Sequence, residues 1–178
     1  LERWLSTPEV LTKYALHYKT NEPMPQELLK KIEKASHFNE GFATVELISS
    51  ALIDMKLHME GTKEIDPDAF EKNTLISLNM PAQMVMRHRT PQFGHIFSSD
   101  EYSAGYYSYL WADVICADAY EAFTEAKGPY DTTVAKRLLK YVFSSGNTID
   151  QAEAYRLFRG RDAKVDALMR SKGFPVVK

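Results

Sequence analysis

Residues 93–111 read FGHIFSSDEYSAGYYSYLW, and the reading of this stretch decides the rest of the chain. It holds one histidine, His95, and four tyrosines. Tyr102, Tyr106 and Tyr109 follow the spacing i, i+4, i+7. On a helix turning ~100° per residue, that spacing sets three phenols on one stripe. Tyr107 falls off the stripe. Each tyrosine brings an apolar ring and an O–H that needs a partner when buried. Three on one face are either a wall of core aromatics or a row of donors aimed into a cleft, and spacing alone leaves both open.

Outward from this stretch, the punctuation predicts helices nearly throughout. Ser6-Thr7-Pro8-Glu9 has capping-box spacing, with Ser6 as N-cap of a helix to about Tyr18. Pro25 opens a second helix to about Ala35. Phe42, Val45, Ile48, Ala51, Leu52, Met55 and Met59 recur at helical spacing and define a long third helix, stopped by Gly61. Asp66-Pro67 is an N-cap followed by proline, starting a helix that ends near Asn79. Residues 80–92 carry two prolines and no period, so they form an irregular connector. The tyrosine helix is expected from about Tyr102 to Ala126. Asp131 caps the next helix, through Phe143, and Thr148–Gln151 is a second capping box opening a helix to about Phe158. Asp162 starts the last one, ended by Gly173 and Pro175. No period-two run is long enough for a strand. The class is all-α.

Composition narrows the function. The chain has 178 residues, 44% hydrophobic and 12% aromatic, enough for one segment with a real core. A net charge of -2 gives no basic footprint for nucleic acid. No apolar run approaches the ~20 residues that span a bilayer, so no membrane partner is expected. The lone cysteine, Cys116, fits a reducing, cytoplasmic compartment. Set among Val114, Ile115 and Ala117, it reads as an inert buried thiol.

The order of residues in the opening stretch carries a resemblance. F-G-H-I-F, a short polar loop, then Y-S-A-G-Y-Y-S-Y-L-W resembles the thimet oligopeptidase and peptidyl-dipeptidase family of zinc metallopeptidases. It is most similar to the bacterial peptidyl-dipeptidase branch. Arg87-His88-Arg89, the opening Trp4-Leu5-Ser6-Thr7-Pro8-Glu9-Val10 and the closing Tyr155-Arg156-Leu157-Phe158-Arg159-Gly160 look like the same family, so the likeness covers essentially residues 1–178. It implies a C-terminal, multi-helix segment of a zincin-type catalytic domain that hydrolyses short oligopeptides. It implies Tyr109 and His95 as catalytic residues, Tyr109 stabilising the oxyanion and His95 riding a loop that closes over substrate. Tyr102 and Tyr106 would contact the peptide. Relatives have glycines where this chain has Ser98-Ser99-Asp100-Glu101, and Ser98 to Glu101 has the spacing of a capping box.

The same resemblance says what to look for elsewhere. The family holds zinc through His-Glu-x-x-His and a further glutamate, and none of His17, His37, His58, His88 or His95 stands in such a motif. The zinc ligands are therefore expected before Leu1, in a full-length enzyme. This chain alone is expected to bind no zinc and to be inactive. Arg87 and Arg89 are candidates for a substrate's free carboxylate, because an arginine fork suits one. Asp54 and His58 form an i, i+4 pair, short of the three or four ligands of a structural metal site. The alternative is a non-catalytic helical module that binds a peptide or other ligand on its tyrosine face. The long third helix and the tyrosine helix are expected to leave apolar faces through which an isolated segment could dimerise.

Overall fold

The computed structural model describes residues 2–176. Leu1, Val177 and Lys178 lie outside the described residues. Ten α-helices follow one another among the described residues: α1 (Glu2–Leu5), α2 (Pro8–Tyr14), α3 (Gln26–Ala35), α4 (Glu40–Met59), α5 (Pro67–Ser77), α6 (Gly94–Phe97), α7 (Ser108–Thr124), α8 (Thr132–Leu138), α9 (Gln151–Arg159) and α10 (Asp166–Ser171). There is no strand among them, only an antiparallel bridge between Leu16 and Pro23. The fold is all-α.

Contacts gather into two units. One comprises residues 1–38 and 114–178, the other residues 39–113. The first has a core of Ala122, Phe123, Val134 and Phe158, flanked by Trp4, Leu138, Tyr141 and Tyr155. The Trp4 indole meets Tyr120 and Phe123 edge-on and donates to the Pro129 carbonyl at 2.6 Å, so the half-buried ring does not strand its N–H. The second unit has a core of Ile53, Leu75, Met86, Phe93 and Ile96, with Met80 and Tyr106 packed on it.

Several helix starts follow their side chains. The Asp66 carboxylate accepts from Asp68 and Ala69 N–H and caps α5, and Asp131 does the same for α8 through Thr133 and Val134. Helix α8 then runs on through Phe143, as expected, but by a π-helical turn over Leu139–Phe143. Others depart from the sequence reading. Thr7, not Ser6, is the N-cap of α2, which ends at Tyr14 because the backbone turns out at Ala15. His17 then donates to the Glu22 carbonyl and Met24 to Ala15, closing a loop in place of the predicted turn of helix. Asp150, not Thr148, caps α9 by accepting from Glu153 N–H at 3.0 Å. The last helix starts at Asp166. Cys116 is exposed, contrary to the buried thiol expected, since α7 buries Ala117, Asp118, Ala122 and Phe123.

The buried face of α4 follows the apolar stripe read from the sequence only in part. Ala51 is buried and Ile48, Leu52 and Met55 are half-buried, but Phe42, Val45 and Met59 are exposed, while Ser49, Ser50, Ile53 and Asp54 are buried. Ser49 and Ser50 tolerate burial because each hydroxyl donates to a carbonyl one turn back, Val45 and Glu46. Trp111 on α7 is exposed as well. No helix of the described residues is long and apolar enough to cross a membrane.

Candidate active site

Tyr102 and Tyr106 flank a turn and Tyr109 stands at the start of α7, so the three do not share one helical stripe. Asp100–Tyr102 forms a 3₁₀ turn, and α7 begins only at Ser108. Between them Ser103 is extended (φ -63, ψ 129), Ala104 has φ 56, and Gly105 N–H reaches the Tyr102 carbonyl at 3.2 Å. That is a type II turn with alanine where glycine is the usual choice. Elsewhere among the described residues positive φ falls only on glycine and asparagine. The predicted capping box does not form either: Ser98 donates to the His95 carbonyl, and Ser99 precedes the 3₁₀ turn without a side-chain bond.

What holds the turn comes from α4. Asp54 is fully buried, and its two oxygens accept from Ala104 N–H at 3.1 Å and Tyr106 N–H at 2.9 Å. His58, one turn on, brings Nδ1 within 2.9 Å of the same carboxylate. A left-handed non-glycine residue costs about 1–2 kcal/mol. A hydrogen bond to a charged group contributes about 1.5–3 kcal/mol, so two outweigh that strain. They also take the N–H groups an α-helix through 102–106 would need, which is why the tyrosine helix starts late.

The result is a cleft of about 290 Å³ lined by His95, Glu101, Tyr102, Tyr106, Tyr107 and Tyr109, with Gly105 and Ser108. Tyr102 and Tyr109 are about half exposed, whereas Tyr106 packs on the core and meets Phe93 edge-on at 4.9 Å. The Tyr106 ring also touches Tyr109, at 5.1 Å between centroids. His95, on α6, stands 5.1 Å from the Tyr102 ring, and its Nε2 lies 3.1 Å from the Tyr109 hydroxyl. With Nε2 protonated, the imidazole donates to the phenol oxygen and frees the Tyr109 O–H to donate into the cleft. With Nδ1 protonated, the phenol donates to the imidazole instead. Among the described residues the Tyr102 and Tyr106 hydroxyls have no protein partner, so both are available to a ligand.

A chain built around such a cleft can be compared with known proteins. Residues 1–174 match Peptidase family M3. This chain belongs to that family. It is 36% identical over 178 residues to the dipeptidyl carboxypeptidase of Escherichia coli (strain K12), covering 98% of this chain and 26% of that protein. It is 33% identical over 176 residues to oligopeptidase A of Salmonella typhimurium (strain LT2), covering 97% and 25%. Saccharolysin of Saccharomyces cerevisiae is 31% identical over 178 residues, covering 97% and 24%. The chain thus spans about a quarter of the length of these curated relatives.

Peptidase family M3 is generally zinc-dependent, but the donors described here do not form a zinc site. No group of three histidine, cysteine or carboxylate side chains converges among the described residues. The pair of Asp54 and His58 is committed: both carboxylate oxygens accept backbone N–H groups, and His58 Nδ1 faces the carboxylate and the Asp54 carbonyl.

The structure brings His95, Tyr102, Tyr106 and Tyr109 together and leaves Arg87 and Arg89 outside the cleft lining. Arg87 is exposed and pairs with Glu46 at 3.3 Å. Arg89 reaches the buried Glu71 at 2.6 Å, which also accepts from the Thr90 N–H and hydroxyl. Sequence reasoning missed Tyr107 in the lining and Asp54 beneath the turn. Asp54 was visible only as a neighbour of His58. Its true partners are backbone N–H groups 50 and 52 residues away, which no local pattern reveals.

Proposed function

We propose that residues 1–178 are one segment of the catalytic domain of a cytoplasmic zinc metallopeptidase that hydrolyses short oligopeptides, as a peptidyl-dipeptidase or an oligopeptidase. The observation that carries this reading is the cleft in which Tyr102, Tyr106, Tyr109 and His95 converge. Membership of family M3, and relatives named dipeptidyl carboxypeptidase and oligopeptidase A, support it.

In this reading Tyr109 donates to the oxyanion that forms on the scissile carbonyl. A phenol suits that role because it is neutral at pH 7, so its hydrogen bond strengthens as charge develops without a permanent charge being buried. His95 orients the Tyr109 hydroxyl, and Tyr102 and Tyr106 donate to the bound peptide. Arg87, paired with Glu46, and Arg89, paired with Glu71 and Asp68, are candidates to receive the peptide's carboxyl end by exchanging those partners. The zinc and the general base belong to the part of the full-length protein outside these residues, so the chain alone has no turnover.

The test is Tyr109→Phe in the full-length protein with a quenched short peptide. The substitution removes one O–H and leaves the ring. A fall in kcat of ~10²-fold with little change in KM is expected. An unchanged kcat returns Tyr109 to a packing role and favours a binding module without chemistry.

A further inference from the structure

Asp54 is a fully buried carboxylate whose side-chain neighbour is His58, with Nδ1 at 2.9 Å. Its two oxygens are aimed at the one turn in which an alanine holds a left-handed conformation. That turn is flanked by the cleft's tyrosines, Tyr102 before it and Tyr106 directly after it. Tyr106 in turn sets Tyr109, whose N–H reaches the Tyr106 carbonyl at 3.4 Å as α7 begins. Fixing the Ala104 and Tyr106 N–H groups therefore fixes where three phenols start from.

We propose that Asp54 is the positioning residue of the tyrosine array: its carboxylate holds the Tyr102–Tyr106 turn so that Tyr109 meets His95 and its hydroxyl lies in the cleft. The proposal rests on the catalytic reading of Tyr109 given above. His58 supports it by donating through Nδ1 to Asp54 Oδ1 at 2.9 Å, so three donors converge on one carboxylate. An asparagine at this position offers a single acceptor oxygen, and its NH₂ must face one of those donors. A displacement of even ~1 Å at a donor group can cost ~100-fold in rate.

The experiment uses the full-length protein and the variants Asp54→Asn, Ala104→Gly, Ala104→Val, Tyr109→Phe and their combinations. Amide hydrogen exchange at Ala104 and Tyr106 reads the hold directly, and kcat and KM for a quenched short peptide read its consequence. Asp54→Asn should speed exchange at both amides and lower kcat by ~10- to 100-fold with KM little changed. Adding Ala104→Gly should restore much of both, because glycine keeps the turn without a hold. The kcat losses of Asp54→Asn and Tyr109→Phe should be less than additive, since both act on one donor.

Unchanged exchange in Asp54→Asn overturns the proposal. So do losses that add fully with Tyr109→Phe and resist Ala104→Gly, because they mark a general weakening of the fold. Should Asp54→Asn not fold, Ala104→Val loads the turn with a β-branched residue while leaving Asp54 intact. A lower kcat then supports the proposal, and a wild-type kcat overturns it. Exchange that responds and is rescued, while Tyr109→Phe leaves kcat unchanged, supports the hold on the turn and overturns the catalytic reading alone.

Discussion

Asp54 and Asp118 are both fully buried, one in each unit, and they are partnered in opposite ways. Asp118 faces permanent charge, Arg161 at 2.7 Å and Arg159 at 3.1 Å, and accepts from the neutral Tyr155 hydroxyl at 2.6 Å. Arg159 also grips Glu125 with two bonds of 2.7 Å, so the cluster ties α7 to α9. Asp54 faces two backbone N–H groups and a histidine, and ties α4 to a turn. One arrangement joins packed helices, and the other fixes the direction of a strained loop beside a cleft. A buried carboxylate alone does not reveal its role. What it accepts from does.

The comparison breaks first at Asp118. Asp118→Ala takes the buried carboxylate away from Arg161 and leaves Arg159, 7% exposed, with Glu125 as its remaining partner. Losing one member of a buried pair costs about 3–5 kcal/mol, and the partial exposure of Arg161 together with the surviving Glu125 bonds puts this case near the lower end. The melting temperature should fall by ~6–12 °C for a chain of this size, read by circular dichroism. In the full-length protein kcat per folded molecule should change less than twofold. Tyr109→Phe is the mirror image. Its ~10²-fold loss of kcat corresponds to about 2.7 kcal/mol, with a melting temperature close to wild type, because the half-exposed ring stays. A large kcat loss in the first variant, or a large melting shift in the second, would erase the division of labour.

Titration sharpens the contrast. Burial pushes the Asp118 carboxyl up, but the bonds from Tyr155 and Arg161 and the charge of Arg159 hold it below the usual carboxylate range. The Tyr155 phenol moves the other way, raised by burial and then by Asp118. The depressed carboxyl contributes stability above its unfolded value of ~4, lost as pH falls further. The raised phenol contributes stability below its unfolded value of ~10, lost as pH rises beyond it. Melting temperature against pH should therefore decline at both ends, and Asp118→Asn should flatten both declines. A variant that keeps both slopes would place the titrating groups elsewhere.

Sequence patterns made one of these regions legible and concealed the other. The helical class, the Asp66 and Asp131 caps and the grouping of His95 with Tyr102, Tyr106 and Tyr109 follow from local spacing and motif. The mode of grouping does not. The i, i+4, i+7 spacing suggested a helix because an alanine at φ 56 has no signature in a sequence, and the carboxylate that stabilises it is 50 residues away. The same limit explains α4. Its apolar stripe is real, yet burial falls on Ser49, Ser50 and Asp54, whose polar atoms find partners only in the folded chain. Cys116 was misread for the neighbouring reason: an apolar run on a helix does not say which of its residues turns inward.

The smallest effect tests the premise of the comparison, that only the tyrosine turn stores strain. Ala104→Gly removes a Cβ from a left-handed position, relieving about 1–2 kcal/mol, and adds backbone freedom to the unfolded chain worth about 0.5–1 kcal/mol. The first exceeds the second, so the variant should be more stable by about 0.5–1 kcal/mol, a rise of ~1–4 °C. Asn147 in the other unit has nearly the same φ, 64, but asparagine tolerates that region and its side chain accepts from Gln151 at 3.1 Å. Asn147→Gly should therefore gain nothing. Equal gains at both positions would mean that left-handed geometry costs the chain alike in either unit. The Asp54 carboxylate would then be offsetting no strain peculiar to the turn. A gain at Ala104 alone ties the strain to the residues that carry the cleft.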